Sequence, residues 1–283
     1  MAYLLVGLVI VTTVSQSLIL KQYQLKTREN TNLFLYTSLV SVFAMLFFLL
    51  SSGGALSFRK ELLPYSLAYG MVYCMSLFGG TNSVCRGSLS ISMLILQCSL
   101  IIPALFGIVF FKERISSFGY VGIILLFVSL FLVNTKNEQM KISRSWVFWT
   151  IIGFIGNGMC SPVQKMQQLR FEGLYKNEFM VLASLFVTVV AFIAGIYKNK
   201  KVKQDFVSCV CYAPVHGIVN GLDSLLVMIL IGILPTAILF PLVSAGGMVV
   251  TFIVSLLVYR ERLSKKQLLG YLCGTVSIIL LNL

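Results

Sequence analysis

Phe111-Lys112-Glu113-Arg114-Ile115-Ser116 and Tyr259-Arg260-Glu261-Arg262-Leu263-Ser264 are two copies of one motif, set 148 residues apart in a chain of 283. Each copy ends one apolar segment and starts the next. The register holds beyond the motif: Gly122 and Gly270, Ser129 and Ser277, Leu132 and Leu280, and Asn134 and Asn282 are identical at the same offset. A repeat at half the chain length, in a chain this apolar, is the mark of a fold built by duplication.

Composition fixes the solvent. With 58% hydrophobic and 11% charged residues the chain has too little polar material to cover a water-facing surface. Apolar runs long enough to cross the ~30 Å hydrocarbon layer as helices recur throughout. Ten are predicted, at 2–20, 33–51, 62–82, 88–110, 116–134, 146–164, 179–197, 206–228, 234–258 and 267–283. The fold class is therefore an all-α membrane protein of ten transmembrane helices. The first run has no basic stretch before it and no small-residue cleavage site after it, so it reads as a retained helix. The net charge of +13 comes from Lys and Arg scattered over loop ends, as in 198–203 and 260–266. That distribution suits lipid head groups and topology, not nucleic acid. Seven cysteines without a CxxC, beside a single histidine, give no metal site.

Ten helices divide into a first repeat, 1–134, and a second, 146–283, joined by the polar loop 135–145. Five is odd, so the second repeat enters the membrane from the opposite side and the repeats are inverted, with the binding site expected where they meet near mid-bilayer. Most of the 22 Lys and Arg lie at the ends joining segments one–two, three–four, five–six, seven–eight and nine–ten. The positive-inside rule then puts both termini outside the cytoplasm. Gly217 and Gly221, Gly270 and Gly274, and the cluster Gly153, Gly156 and Gly158 mark close helix contacts.

Polar side chains inside such helices are costly, so each is a functional candidate. His216, Asn220 and Asp223 fall on one face of the eighth segment at i, i+4, i+7. His216 is the only histidine, and Asp223 is the only carboxylate well inside a predicted helix. At the 148 offset the first repeat has Ala68, Val72 and Met75, so the fold itself does not demand polarity there. His216 and Asp223 are expected to handle a proton. Asn157, Ser161 and Gln164 repeat the same spacing, and Gln16 matches Gln164 at the offset, which suggests paired amides for a zwitterion or hydroxylated solute. Tyr65, Tyr69 and Tyr73 form a possible aromatic wall, with Gln97 a lone amide on segment four. Trp146 and Trp149 read as interfacial belt. Glu113, Arg114, Glu261 and Arg262 read either as gate ion pairs or as a charged cap on a helix end.

The five-plus-five repeat, with Glu113-Arg114 and Glu261-Arg262 each followed by a glycine-bearing segment (Gly122; Gly270 with Gly274), resembles the drug/metabolite transporter superfamily and its bacterial EamA-type members. The resemblance covers essentially the whole chain. It implies a secondary transporter in the bacterial inner (plasma) membrane, exporting amino acids or other small organic metabolites by alternating access, with cytoplasmic termini. Small relatives carry a coupling carboxylate in the first helix. Here that region is Thr12-Thr13-Val14-Ser15-Gln16-Ser17, so coupling is expected to rest on Asp223 instead. No ATP-binding Walker A sequence occurs. The expected partners are a small-molecule substrate and membrane lipid, with no cofactor, the chain acting as a monomer or homodimer. A polytopic enzyme is the alternative, but the chain has no HExxH, no GxSxG and no paired intramembrane carboxylates. A receptor or scaffold would leave the duplication unexplained.

Overall fold

The computed structural model describes residues 2–27, 32–54, 56–86, 89–134, 143–198, 202–257 and 265–281. Among them every regular element is helical: α1 (Ala2–Thr27), α2 (Leu33–Ser51), a 3-10 turn (Lys60–Leu62), α3 (Leu63–Arg86), α4 (Leu89–Cys98), α5 (Ile101–Val109), α6 (Ser117–Asn134), α7 (Arg144–Arg170), α8 (Lys176–Lys198), α9 (Val202–Ile233), α10 (Thr236–Leu257) and α11 (Lys265–Leu281). Helix is what so apolar a sequence must form, because lipid offers no partner for backbone N–H and C=O groups. Seven stretches are long and apolar enough to cross a bilayer, among them Ala2–Tyr23, Leu33–Ser51, Lys176–Tyr197 and Val210–Ile233. Large apolar side chains are exposed on their outer faces, such as Leu4, Leu8 and Val11 on α1 and Phe192 and Ile193 on α8. Exposed apolar surface of this extent belongs in lipid.

One predicted segment is not continuous. The fourth breaks between Cys98 and Ile101 into α4 and α5. Pro103 lies in the first turn of α5, where its missing N–H costs no hydrogen bond. The Leu96 carbonyl near the end of α4 accepts from Asn157 Nδ2 at 3.2 Å, and the same amide nitrogen lies 2.7 Å from Ser99 Oγ. Pro162, Pro214 and Pro241 lie inside α7, α9 and α10 without ending them. A proline alone therefore does not break a helix here; Leu96 also has an amide partner on α7 for its carbonyl.

Contacts divide the chain into two compact units. The first is Met1–Ile10, Met75–Pro162 and Ile233–Leu283; the second is Val11–Cys74 and Val163–Gly232. Each draws on both sequence repeats.

In the first unit α6 packs along α11, and α10 lies against α5, α6 and α11. Ser129 Oγ donates to the Gly270 carbonyl at 2.6 Å, and Ser277 Oγ donates to the Gly122 carbonyl at 2.8 Å. A late residue of each helix meets an early residue of the other, so α6 and α11 run antiparallel. A Cβ at Gly79 would overlap the backbone of Gly153, and one at Gly153 the backbone of Gly79 and Gly80. Here α3 and α7 cross in backbone contact. Trp146 departs from the belt reading: it is buried, and its indole Nε1 donates to Ser92 Oγ at 2.9 Å. An indole N–H placed in the interior needs such a partner.

In the second unit α2 packs along α8. Asn32 Nδ2 donates to the Gly195 carbonyl at 2.8 Å and Ser38 Oγ to the Thr188 carbonyl at 3.0 Å, which makes this pair antiparallel too. Gly217 and Gly221 of α9 sit against Val40, Phe43, Ala44 and Phe47 of α2.

Candidate binding and coupling site

The polar face of α9 meets α1 and α2 along a seam inside the second unit. Asp223 Oδ1 accepts from Thr12 Oγ1 at 2.5 Å and from Thr13 Oγ1 at 3.0 Å. One turn away, Asn220 Nδ2 donates to Gln16 Oε1 at 2.8 Å. Farther along, His216 Nδ1 lies 2.7 Å from the Tyr36 hydroxyl of α2. The i, i+4, i+7 face is thus a single polar stripe: Asp223 and Asn220 find partners in Thr12, Thr13 and Gln16, which share one face of α1, and His216 finds its partner in Tyr36 of α2. The first helix, with no carboxylate of its own, is where the carboxylate of α9 docks.

His216 and Asp223 do not act as a contacting pair. They stand about 10 Å apart along the axis, at ~1.5 Å per residue, with the Asn220–Gln16 amide pair between them. His216 belongs to an aromatic cluster that the sequence did not reveal. Tyr23 stacks on Tyr36 with ring centroids 4.0 Å apart, Tyr212 tilts against Tyr23, and the His216 ring lies 5.5 Å from that of Tyr36.

Beside the seam, α2, α3, α8 and α9 form a narrow cleft of about 20 Å³ lined by Ser41, Tyr69, Tyr73, Ser184, Asn220 and Ser224 together with apolar side chains. Its interior admits only about one or two waters in this conformation. Tyr69 and Tyr73 stack at 6.2 Å, and Tyr69 rests edge-on against Phe179. Three predicted binding residues, Tyr69, Tyr73 and Asn220, therefore share one cleft. The lining carries hydroxyls, an amide and aromatic faces, and no charged side chain.

The other predicted residues lie elsewhere. Gln16 pairs with Asn220. Gln164 is buried on α7. Asn157 and Gln97, both exposed, belong to the first unit, where Asn157 supports the α4–α5 break. Tyr65 packs edge-on against Phe171. Glu113 Oε2 accepts from Thr236 Oγ1 at 2.8 Å and from the Ala237 N–H at 3.0 Å. It thereby caps the N-terminus of α10, a role close to the predicted helix cap but on a different helix. Arg114 is exposed. Glu261 and Arg262 lie outside the described residues.

Lys165 and Glu178 were not singled out in the sequence. Lys165 Nζ donates to the Ile231 carbonyl in the last turn of α9 at 2.7 Å. Glu178, buried in the first turn of α8, accepts from the Ser57 N–H at 3.0 Å. Both place a charge at the helix end that favours it; for Glu178 that signal was available from the boundary of α8, whereas the reach of Lys165 from α7 to α9 is tertiary.

No family model matches the chain, and neither does any curated protein. Among solved structures, 27 chains are similar. One is a crystal structure that superposes with a TM-score of 0.73, covering 96% of this chain and 98% of its own, at 13% sequence identity. At that identity the likeness is one of fold.

Proposed function

We propose that the chain is a secondary transporter of the drug/metabolite type, with ten membrane crossings in two inverted five-helix repeats. It exports a small organic metabolite such as an amino acid by alternating access across a bacterial inner membrane. The observation that carries this reading is the half-buried Asp223, held by α1 donors within the membrane-spanning part of the fold, next to a cleft lined by Tyr69, Tyr73 and Asn220. A carboxylate at that depth is costly and belongs to an ion pathway before it belongs to packing.

Two features support the architecture. The reciprocal bonds Ser129 to Gly270 and Ser277 to Gly122 join positions that correspond at the 148 offset, so they are equivalents under a local two-fold. Antiparallel helices related this way have their axis across the helices, which in a membrane means within its plane. The α4–α5 break supplies the discontinuous helix on which transporters build.

The uncharged lining favours a solute group without net charge: a zwitterion, a hydroxyl or a ring. The narrow cleft must widen to admit it, which makes this an occluded arrangement in the cycle. Purified protein in proteoliposomes, loaded with single amino acids and given an imposed pH gradient, tests the reading. Gradient-driven flux of at least one solute is the expected result, with Asp223→Asn losing uphill flux and keeping exchange. If every solute tested ignores both its own gradient and the pH gradient, the transport reading fails.

A further inference from the structure

Where α7 turns into α8, an open pocket of about 270 Å³ is lined by Arg59, Glu61, Arg170, Phe171, Glu172 and Tyr175. It shares no residue with the cleft of Tyr69 and Tyr73. Two guanidiniums and two carboxylates line one space, and among the described residues no ion pair joins them. Opposite charges left unpaired around one pocket suit a ligand that carries both signs.

The backbone of this pocket is held in place on both sides. Glu172 and Tyr175 have φ of 51° and 58°, the left-handed region that residues other than glycine rarely adopt. The Gly173 N–H donates to the Gln168 carbonyl at 2.9 Å, the bond of a Schellman turn closing α7. In that turn the left-handed place, here Glu172, is ordinarily glycine's. A carboxylate therefore stands where the fold alone favours no side chain, and such strain gathers at ligand sites. From beneath, fully buried Gln167 donates Nε2 to the Leu174 carbonyl at 3.0 Å. On the other wall, buried Glu178 accepts from the Ser57 N–H at 3.0 Å. Fully buried Leu62 anchors the 3-10 turn that joins Arg59 to Glu61. The Arg59 guanidinium lies 5.0 Å from the Tyr175 ring centroid, and Tyr175 rests edge-on against Phe171. Stacking uses the face of a guanidinium and leaves the N–H donors along its edge to meet an anion.

We propose that this pocket binds the phosphate–ammonium headgroup of a phospholipid of the ethanolamine type. Arg59 and Arg170 donate to the phosphate, and Glu61 and Glu172 accept from the ammonium. A primary ammonium has three N–H groups to give, whereas a trimethylammonium has none and a glycerol headgroup carries no cation. Position in the fold selects a lipid over a soluble phosphate ester. The pocket lies at the ends of three stretches long and apolar enough to cross a membrane, Lys60–Arg86, Arg144–Arg170 and Lys176–Tyr197. Leu174, which also lines it, is exposed, and exposed Phe58, Leu63 and Leu67 adjoin its Arg59–Glu61 wall in sequence. Charged lining beside exposed apolar side chains, at a helix end, is what a headgroup and its acyl chains meet together.

Native mass spectrometry of the full chain in detergent tests this with phosphatidylethanolamine, phosphatidylcholine and phosphatidylglycerol of the same acyl chains. Phosphatidylethanolamine should bind tightest. Glu172→Gly should weaken it about tenfold, the worth of one charge-assisted hydrogen bond, and leave phosphatidylglycerol no weaker. Glycine takes the left-handed backbone freely, so this variant should melt no lower than the unsubstituted protein, which separates lost binding from lost folding. Arg59→Gln should weaken all three lipids, since each carries the phosphate. Glycerophosphoethanolamine, the headgroup without chains, should compete only at far higher concentration. Equal binding of the three lipids, a Glu172→Gly variant that keeps the ethanolamine preference, or an Arg59→Gln variant that binds every lipid unchanged overturns the proposal. Competition by glycerophosphoethanolamine as strong as that by the lipid overturns the membrane source and assigns the pocket to a soluble phosphate ester.

Discussion

Asp223 and His216 are neighbours in pattern and strangers in contact, and their substitutions should separate accordingly. The Asp223 carboxylate takes two hydroxyl donors from α1, and hydrogen bonds to a charged group are worth about 1.5–3 kcal/mol each. Thr12→Val keeps the shape and removes the shorter bond, so it should lower unfolding stability in detergent by about that amount. Serine at the same position keeps the hydroxyl and should lose less. Tyr36→Phe removes the hydroxyl that meets His216 Nδ1 while leaving the Tyr23 stack. A neutral bond of this kind carries about 0.5–1.5 kcal/mol. A thermal melt showing a larger loss for Tyr36→Phe than for Thr12→Val would reverse this order. The face that joins His216, Asn220 and Asp223 was legible from spacing on one helix. Its partners were not: Tyr36, Gln16 and Thr12 lie 180, 204 and 211 residues away in sequence, and no local period carries that information.

Helices set where these side chains can go. Among the described residues the predicted apolar runs are largely helical because apolar length leaves little alternative, yet the α4–α5 break escaped notice inside Ile91–Val109, which stays apolar throughout. Pro103 was a visible cue, but three other prolines sit inside intact helices. What distinguishes the break, the Asn157 amide at Leu96 O and Ser99 Oγ, is tertiary. Glycine was the more reliable guide to contact. A Cβ on Gly217 would crowd the Val40 carbonyl and the Phe43 side chain, whereas one on Gly7 meets nothing within 4 Å. Gly217→Val should therefore push α9 off α2 and carry the polar seam with it, at the ~1–3 kcal/mol typical of overpacking. Gly7→Ala should be neutral or slightly stabilising, since alanine favours helix by about 0.8–1 kcal/mol over glycine. Melting temperatures of the two purified variants check the contrast, and a Gly7→Ala variant as damaged as Gly217→Val would refute it.

Across the whole molecule the decisive question is how many times the chain crosses, because inversion depends on an odd count per repeat. The duplication was legible in Glu113-Arg114 and Glu261-Arg262. The reciprocal contacts between positions 148 apart, Ser129 with Gly270 and Ser277 with Gly122, needed three dimensions. Ten crossings have a consequence that can be measured at three positions. The loops after α2 and after α7 must open on the same side, in keeping with the Ser57–Glu178 bond and with Arg59 stacked 5.0 Å from the Tyr175 ring centroid. The far end of α3 must open on the other. α3 has the reach: its 24 residues span about 36 Å at ~1.5 Å per residue, more than the ~30 Å hydrocarbon layer. Exposed Cys85 marks that end. In a background where the other cysteines are replaced by serine or alanine, Ser57→Cys and Leu174→Cys should respond alike to a membrane-impermeant maleimide added to intact cells. Cys85, kept alone, should respond oppositely. Lys and Arg distribution places Ser57 and Leu174 outside, and the family resemblance places them in the cytoplasm, so the same labelling also chooses between these orientations. Should Cys85 label together with Ser57, α3 does not cross, five crossings per repeat is the wrong count, and the inverted architecture falls with it.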